Sequence, residues 1–340
     1  MNNIFNYKLS DLKQFFLSQN EKEYKAIQVY EWLYKKRVFD FEKMTNIKKD
    51  LIKILKMNFL VNFITIEKKQ IDKDARKYLF KLEDDNYIEA VLMYHNYGVS
   101  VCVSSQVGCN MGCRFCESGR LKKVRNLETY EMVEQILLIE QDIKRRIDSV
   151  VIMGIGEPFD NYNNVMNFVK IINCDYGIAI GARHITISTC GIIPKIKMLM
   201  EEKLQINLAI SLHAPNNIIR DAIMPINKVY NLDNLINTLK EYIAKTNRRV
   251  TIEYVTLKGV NDSNECALEL ANLLKGMNVY VNLIPYNETN NLGFAKSSKN
   301  TIKTFYDILK KNKINVTIRR EFGSNIDAAC GQLRSKEVGK

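Results

Sequence analysis

Three cysteines lie close together in the stretch GCNMGCRFCESG, at Cys109, Cys113 and Cys116, with three and then two residues between them. Thiolates bind zinc and iron–sulfur clusters, and both kinds of centre usually take four protein ligands. No fourth cysteine or histidine follows in this stretch, and none of the three histidines of the chain lies at a zinc-finger spacing. An iron–sulfur cubane held by three cysteines leaves one iron open to a substrate or cofactor. The spacing therefore favours such a cluster, with a zinc site as the alternative.

The composition is that of a chain with a large buried core. Of its 340 residues 46% are hydrophobic, which is enough for one large domain with an appendage. No run of eighteen apolar residues is present, so we expect no membrane span. The first residues lack the features of a secretory signal, so we expect a cytoplasmic protein. In a reducing compartment its eight cysteines are expected to be metal ligands or reactive thiols.

The net charge of +12 favours binding to a polyanion. Nucleic acid is the most common partner of this kind, although a lysine-rich genome explains the charge equally well. Residues 1–58 show apolar positions at spacings of three and four and are predicted to be helical. Tyr30, Trp32 and Tyr34 lie there close to lysines, which is typical of a basic RNA-binding accessory module. An amphipathic helix with a lysine face is the alternative interpretation.

Strand-like and helix-like stretches alternate through most of the remaining chain. Seven apolar runs are separated mainly by helix-periodic segments, which indicates βα units around a parallel sheet. The runs are rich in Val, Ile and Leu, as expected when both faces of a sheet are covered. Six units and a closing strand predict an α/β fold, a partial (β/α)6 TIM-like barrel. The runs span residues 100–105, 149–156, 184–191, 206–213, 250–257, 279–287 and 315–321.

This pattern divides the chain into four expected parts. A helical module is followed by a β-rich extension with alternating apolar and polar positions, and then by the partial barrel and a short tail. The parts are residues 1–58, 59–98, 99–322 and 323–340.

Polar residues and glycines cluster where the predicted strands end, in GIGEP, STCG, SLHAP and LIPYN. In α/β barrels the carboxyl ends of the strands form the rim that holds the active site. The cysteine triplet follows the first strand and belongs to the same rim. Serine and asparagine also end strands through hydrogen bonds to their own turns, which is the alternative for each position. The candidate ligand contacts are Gly156, Glu157, Ser188, Ser211, Leu212, His213 and Asn287.

The triplet, with Phe115 before its last cysteine, resembles the radical S-adenosylmethionine (SAM) superfamily. The resemblance implies a [4Fe-4S] cluster on the three cysteines and SAM chelating the open iron through its amino and carboxylate groups. One electron from the cluster then cleaves the sulfonium and releases a 5′-deoxyadenosyl radical. Glu157 and the backbone carbonyls beside it are expected to bind the ammonium of SAM.

Further motifs resemble the RlmN/Cfr family of radical SAM RNA adenine methyltransferases. They follow one another along almost the whole chain: VCVSSQVGC, GIGEPFDN, ITISTCGIIP, AISLHAPN, MPINKVY, GVNDS, NLIPYN and IDAACGQLR. The match implies that Cys330 accepts a methyl group from SAM to form S-methylcysteine. A thiomethylene radical formed there adds to the adenine ring, Glu89 accepts the ring proton, and Cys102 resolves the adduct through a disulfide with Cys330. Judged from the residues alone, Cys102 is a buried core cysteine and Glu89 an ordinary strand carboxylate.

The resemblance also implies partners. We expect carbon 2 of an adenosine in the peptidyl-transferase region of 23S rRNA as the target, and in some members the adenosine 3′ of the tRNA anticodon. An external flavodoxin-like electron donor and a monomeric enzyme are expected. The basic stretch after the cluster, with Arg120, Lys122, Lys123 and Arg125, is expected to grip RNA phosphates. Three alternatives stay open: the carbon-8 branch of the family, a radical SAM enzyme acting on another substrate such as a peptide, and a non-catalytic RNA-binding protein with structural zinc.

Overall fold

The structure is a computed structural model, and it describes residues 2–61, 63–288, 293–320, 322–323, 326 and 332. The first part is a helical module whose two ends are joined by a short parallel strand pair. Its helix faces bury aromatic and aliphatic side chains, among them Tyr30 and Tyr34, so these rings belong to the core. Its elements are β1 (Asn2–Asn3), α1 (Leu9–Ser18), α2 (Tyr24–Tyr34), α3 (Lys49–Asn58) and β2 (Phe59–Leu60).

An antiparallel meander follows and forms one side of the main sheet. The turn between its second and third strands is closed by a 2.8 Å hydrogen bond from Leu82 N to the Asn86 carbonyl oxygen. Its last strand pairs with the first strand of the barrel, so the extension and the barrel form one sheet. The strands are β3 (Thr65–Ile71), β4 (Ala75–Lys81), β5 (Tyr87–His95) and β6 (Gly98–Val103).

The rest of the described chain alternates strands with helices, as the sequence predicts. A small antiparallel pair comes first, and six helix-containing connections then link parallel strands. In chain order the elements are β7 (Gln106–Val107), β8 (Arg125–Asn126), α4 (Thr129–Ile143), β9 (Ser149–Ile152), α5 (Tyr162–Asn173), β10 (Ile185–Thr189), α6 (Ile193–Met200), β11 (Asn207–Ser211), α7 (Asn217–Ile223), α8 (Leu232–Thr246), β12 (Val250–Thr256), α9 (Asn264–Leu273), β13 (Val279–Pro285), α10 (Lys299–Lys311) and β14 (Val316–Ile318).

The main sheet has ten strands in the order β14-β13-β12-β11-β10-β9-β6-β5-β4-β3. The seven strands from β6 to β14 in this sheet run parallel, and β3 to β6 run antiparallel. Six βα units with a closing strand confirm the predicted α/β fold with its partial barrel. No pairing joins β3 to β14 within the described residues, so the sheet is open there. No helix of the described residues is long and apolar enough to span a membrane.

The two faces of the parallel sheet differ, and the expectation that both faces are covered is wrong for the inner face. Side chains such as Ile187 and Ile252 face the helices and belong to the main core. Their neighbours Thr186, Thr251 and Glu253 instead line a cavity on the inner face. Because side chains alternate along a strand, one face is packed and the other is left polar. The inner face can therefore accommodate polar ligands.

The helical module is attached along α4. Asn6 Nδ2 donates to Glu128 Oε2 near the start of this helix, at 3.0 Å. In its middle, Asn3 Nδ2 and Ile64 N donate to the two oxygens of Glu134, at 3.1 and 2.9 Å. Near its end, Arg37 pairs with Glu140. The module thus follows α4 along its length.

Burial raises the pKa of the Glu134 carboxyl to about 9. In the unfolded chain it ionises near its ordinary value, so stability falls as pH rises from about 4.5 to about 9. Glu134→Ala removes this titration and leaves the buried Ile64 N–H without its acceptor, which costs about 2 kcal/mol. We expect the melting temperature of the variant to be lower at pH 6 and to fall less between pH 6 and pH 9. Glu67→Ala, which removes an exposed carboxylate on β3, is the control, and equal slopes for wild type and Glu134→Ala would contradict the assignment.

Candidate active site

One cavity opens where the parallel strands end, at the rim predicted to hold the active site. One wall of the cavity is polar and carries all three cysteines of the triplet. Phe115, Met224 and Ile284 form an apolar side of the same cavity. Of the predicted ligand contacts, six line this cavity: Gly156, Glu157, Ser188, Ser211, His213 and Asn287. The seventh, Leu212, has its side chain fully buried in the main core. Its backbone lies between two lining residues.

The loop that carries the triplet is folded by close backbone contacts. Cys109 N donates to the Leu121 carbonyl oxygen at 2.9 Å, and Cys116 N donates to that of Cys113 at 3.2 Å. Gly108 has a φ of +73°, and a Cβ there would lie 2.4 Å from the Lys122 carbonyl oxygen. Only glycine therefore lets the chain return on itself directly before the first cysteine.

The donor set fits an iron–sulfur cluster. Burial raises the pKa of the Cys109 thiol to about 12 and that of Cys113 well above its usual range. These sulfur atoms therefore need the positive charge of a metal centre to become thiolate ligands. No three His, Cys, Asp or Glu side chains among the described residues are grouped to hold a single metal ion. The three thiols line one cavity, and a cubane takes its cysteine ligands on separate irons.

Glu157 is fixed at the end of β9 by three hydrogen bonds. Its carboxylate oxygens accept from Phe159 N at 3.0 Å and from Cys190 N at 2.8 Å, and its own N–H donates to Gln106 Oε1 at 2.8 Å. Gly156 precedes it with a φ of +110°, and a Cβ there would lie 2.6 Å from the Gln106 Cβ. The carboxylate thus joins the ends of β9 and β10.

His213 is a neutral hydrogen-bond donor. Its Nδ1 accepts from Val255 N at 3.0 Å, which places the proton on Nε2. Burial, together with the charge of Arg220, lowers its pKa to about 3. The residue has a left-handed φ of +56° and its ring meets Phe115 edge-on at 4.8 Å. The imidazole can therefore orient a ligand but does not act as an acid at neutral pH.

Two buried residues that the sequence analysis missed hold the rim loops. The Arg220 guanidinium donates to the carbonyl oxygens of Cys190 at 2.7 Å and Leu212 at 3.2 Å, and to Asn227 Oδ1 at 2.8 Å. Asn261 Nδ2 donates to the carbonyl oxygens of His213 and Val255, both at 2.7 Å. Both side chains are fully buried. Asn261 lies in GVNDS, a family motif that was the available signal, whereas no local pattern indicates that Arg220 is buried.

Glu253 and Arg319 are further polar residues of the cavity that the sequence analysis did not assign to it. Glu253 faces inward from β12, and its Oε1 accepts from Asn282 Nδ2 at 3.3 Å. Burial raises its pKa, and Arg319 Nη1 lies 4.0 Å from Oε2. Ser188 and Ser211 contact each other on the same face, with 3.4 Å between their hydroxyl oxygens. The cavity floor is therefore a polar surface.

Cys102 and Glu89 lie beside this cavity and not in its wall. Cys102 on β6 is opposite Val91 on β5, and Glu89 precedes Val91 by two residues, so both side chains are on the inner face. Glu89 is buried and its Oε1 lies 3.5 Å from Lys77 Nζ. Met153 lines the cavity that holds the triplet and also packs against the apolar cluster around Cys102. The cavity and the cluster around Cys102 thus have Met153 as a common boundary.

The C-terminal segment approaches the same place. Phe322 and Ile326 pack against the apolar cluster that contains Cys102. Phe322 also contacts the His95 ring edge-on, at 4.8 Å. Cys330 lies outside the described residues. No disulfide joins any two of the seven cysteines that the structure describes.

The basic stretch after the cluster is only partly available to a ligand. Lys123 pairs with Asp160 at 2.7 Å. Arg125 binds Glu131 through two nitrogens, at 2.8 and 2.7 Å, and Asp84 at 2.6 Å. These two cations pair with acidic groups of the protein and link the extension, the barrel and α4; their contact with RNA stays a prediction. Arg120 and Lys122 remain exposed.

Replacing Arg220 should loosen the rim. Arg220→Met removes the donor for several buried carbonyl oxygens, and we expect the free energy of unfolding to fall by about 3 kcal/mol. We also expect SAM to bind at least tenfold more weakly, since the backbone carbonyls of Cys190 and Leu212 at the rim lose their donor. Arg114→Met, at an exposed position in the triplet loop, is the control. Calorimetry of SAM binding with unchanged affinity in a folded Arg220→Met protein would contradict this role.

Comparisons with known proteins agree with the geometry. Residues 103–271 match the radical SAM superfamily, and residues 2–61 match the ribosomal RNA large subunit methyltransferase N-terminal domain. Superfamily members use a [4Fe-4S] cluster and SAM, as predicted.

Curated relatives and a solved structure extend over nearly the full chain. A probable dual-specificity RNA methyltransferase RlmN from Listeria monocytogenes is 51% identical over 98% of this chain and 94% of that protein. One from Spiroplasma citri is 50% identical over 100% of this chain and 99% of that protein. The crystal structure of a radical SAM methyltransferase from Sphaerobacter thermophilus has 38% identity and a TM-score of 0.92, covering 98% of this chain and 99% of that one. The chain belongs to the RlmN family of radical SAM RNA methyltransferases.

Proposed function

We propose that this chain methylates carbon 2 of adenosine in RNA, with one target in the peptidyl-transferase region of 23S rRNA and a second, 3′ of the anticodon, in tRNA. The observation that carries the proposal is that Met153 borders two groups of candidate functional residues. A cavity with the three-cysteine loop lies on one side of it, and Cys102 with Glu89 lies on the other. The dual-specificity name of the relatives supports both RNA classes.

The cavity is the proposed site of both cofactors. Cys109, Cys113 and Cys116 would hold the cluster. Glu157 and the carbonyl of Gly156 would bind the ammonium of SAM, and the donor side chains of the inner face would bind its remaining polar groups. We assign to this second role Ser188, Ser211, His213 and Asn287, with Leu212 contributing only through its backbone. When bound, these groups supply the one-electron chemistry that carbon 2 needs, because this electron-poor carbon does not attack a methyl sulfonium.

Three side chains would act on the substrate. Cys330 accepts the methyl group of SAM on its sulfur, and Glu89 takes the proton that leaves the ring carbon. The Cys102 thiolate would then attack the sulfur of Cys330 and form a disulfide, while the bond between that sulfur and the transferred carbon breaks. The carbon keeps the electron pair of this bond and takes up a proton, which gives the methylated base, and an external thiol reduces the disulfide. Ile326 packs against the cluster around Cys102, and four residues of extended chain span about 14 Å, so chain length permits Cys330 to reach Cys102.

Burial supports the assignment of Glu89. The side chains of Glu89 and Lys77 are both nearly enclosed, and their ion pair keeps a negative charge inside the protein. A carboxylate held this way is shielded from water and can accept a proton from a base inserted at the inner face. We expect the diagonal separation of Glu89 and Cys102 across the strand pair to be about 7 Å. That is close enough for both to meet one base.

The remaining expectations concern partners and organisation. We propose that residues 1–58 form an RNA-binding accessory domain, followed by the extension (59–98), the barrel (99–322) and the tail (323–340). Exposed cations at the rim, among them Arg114 and Lys122, would contact RNA phosphates around the extruded base. A flavodoxin-like protein would donate the electron. We also propose that the enzyme is a monomer and that it acts in the cytoplasm, where its RNA substrates are.

Mass spectrometry of RNA tests the reaction directly. Ribosomal and transfer RNA from cells with and without this protein is digested, and the methyladenosine isomers are compared. We expect 2-methyladenosine only where the protein is present. Appearance of 8-methyladenosine would assign the chain to the carbon-8 branch, and no change in either isomer would contradict RNA methylation.

The role of Cys102 has its own test. Cys102→Ala leaves methyl transfer to the ring intact but prevents release, so a covalent RNA–protein adduct should accumulate on denaturing gels. Cys174→Ala is the control, because Cys174 is a half-buried cysteine away from the cavity and should give free methylated RNA. Free product at normal yield from Cys102→Ala would show that another thiol resolves the adduct.

A further inference from the structure

A cleft lies at the opposite end of the barrel from the cofactor cavity, and the proposed function does not account for it. It is lined by the end of α2, by the connection from α4 to β9 and by the connection from α5 to β10. Connections from a helix into a parallel strand lie at the amino ends of the strands, away from the rim. We call it the rear cleft. It joins the helical module to the barrel.

The rear cleft is strongly basic. Among the described residues, five cations and one acid, Glu140, line it. Three of the cations have acidic partners: Arg37 pairs with Glu140, Lys35 with Glu31 and Arg145 with Asp148. Lys144 and Arg146 are exposed, and neither has an acidic partner in the described part of the chain. Arg146 donates to the carbonyl oxygen of Ala179. The five cations are Lys35, Arg37, Lys144, Arg145 and Arg146.

Like charges are held together in this cleft. Burial, and after it the positive charge of Arg146, lowers the pKa of Arg37 to about 10, so the Arg37 guanidinium stays charged at neutral pH. Arg37, Lys144 and Ala179 have left-handed φ values of 57°, 49° and 58°. At Lys144 this conformation ends α4 as its C-cap and places the lysine at the mouth of the cleft. An anion bound between the cations would relieve their repulsion.

The rear cleft and the rim lie near opposite ends of the helix α4. The helix α4 has 15 residues and is about 22 Å long, and the helical module follows it from one end to the other. A folded RNA with its target base at the rim can therefore extend along the module to the cleft. Protein partners are less suited, because charged residues are depleted in the core of protein interfaces, whereas nucleic acids are contacted largely through their phosphates.

We infer that the rear cleft binds backbone phosphates of the substrate RNA, as a second contact remote from the reacting base. The inference rests on the proposed RNA methylation. The contact at the rear cleft adds affinity and fixes how the RNA lies on the helical module, and it does not involve the cofactors. Phosphate contacts of this kind position a nucleic acid and carry no sequence information.

Charge reversal tests the cleft. The double variant Lys144→Glu with Arg146→Glu is compared with Lys303→Glu with Lys311→Glu, which changes the net charge equally at exposed positions of α10. A protein-free 23S rRNA transcript is the probe. For the cleft variant we expect at least tenfold weaker binding and a slope of log K against log salt that is smaller by about two, one for each lost phosphate contact. The rate at saturating RNA and the reductive cleavage of SAM without RNA should equal those of the wild type.

The outcomes separate the two proposals. Wild-type affinity in the cleft variant, or an equal loss in the α10 control, would overturn the rear cleft as a site. A lower rate at saturating RNA with unchanged affinity would also overturn it, because a remote phosphate contact acts on binding. A wild-type protein that cleaves SAM but methylates no RNA would instead overturn the proposed function, and the inference with it.

Discussion

The rim of the barrel depends on the buried guanidinium of Arg220. Parallel strands end at carbonyl groups that have no partner within the sheet, and at an open cavity these groups need donors that leave the space free. Arg220 satisfies the carbonyl oxygens of Cys190 and Leu212 from outside the cavity. Asn261 does the same for His213 and Val255. The polar wall is thus held in place by donors behind it, and its own side chains stay available for a ligand.

The division of the sheet into a packed outer face and a polar inner face explains how two sites come to share one sheet. The outer face of the parallel strands packs against helices, which leaves the inner face polar. The antiparallel extension continues this inner face and adds Glu89 and Lys77 next to Cys102. Met153, directly after β9, borders both groups. A base entering from the open side of the sheet would therefore meet the cofactor and the carboxylate at neighbouring positions.

Much of the fold and part of the site could be predicted from the sequence, for identifiable reasons. The three-cysteine spacing and the polar strand ends are local patterns, and the structure brings the triplet and Glu157, Ser188 and His213 into one cavity. Pairing is not local, so the sequence did not reveal that Lys123 and Arg125 form ion pairs with acidic side chains. The neutrality of His213 and the burial of Arg220 depend on tertiary contacts that no spacing reveals. The alternation of apolar and polar residues along these strands was hard to recognise in the sequence. The strands are rich in apolar residues, and many side chains of the inner face are small and polar.

Electron paramagnetic resonance of the anaerobically reduced protein tests most directly whether the cavity is a cluster site with an iron open to SAM. A reduced cubane should give a signal whose g-values shift when SAM is added, because SAM binds the open iron. The signal should be lost in Cys113→Ala. A spectrum without a cubane signal, or one that SAM leaves unchanged, would contradict the assignment of this cavity and the chemistry proposed for it.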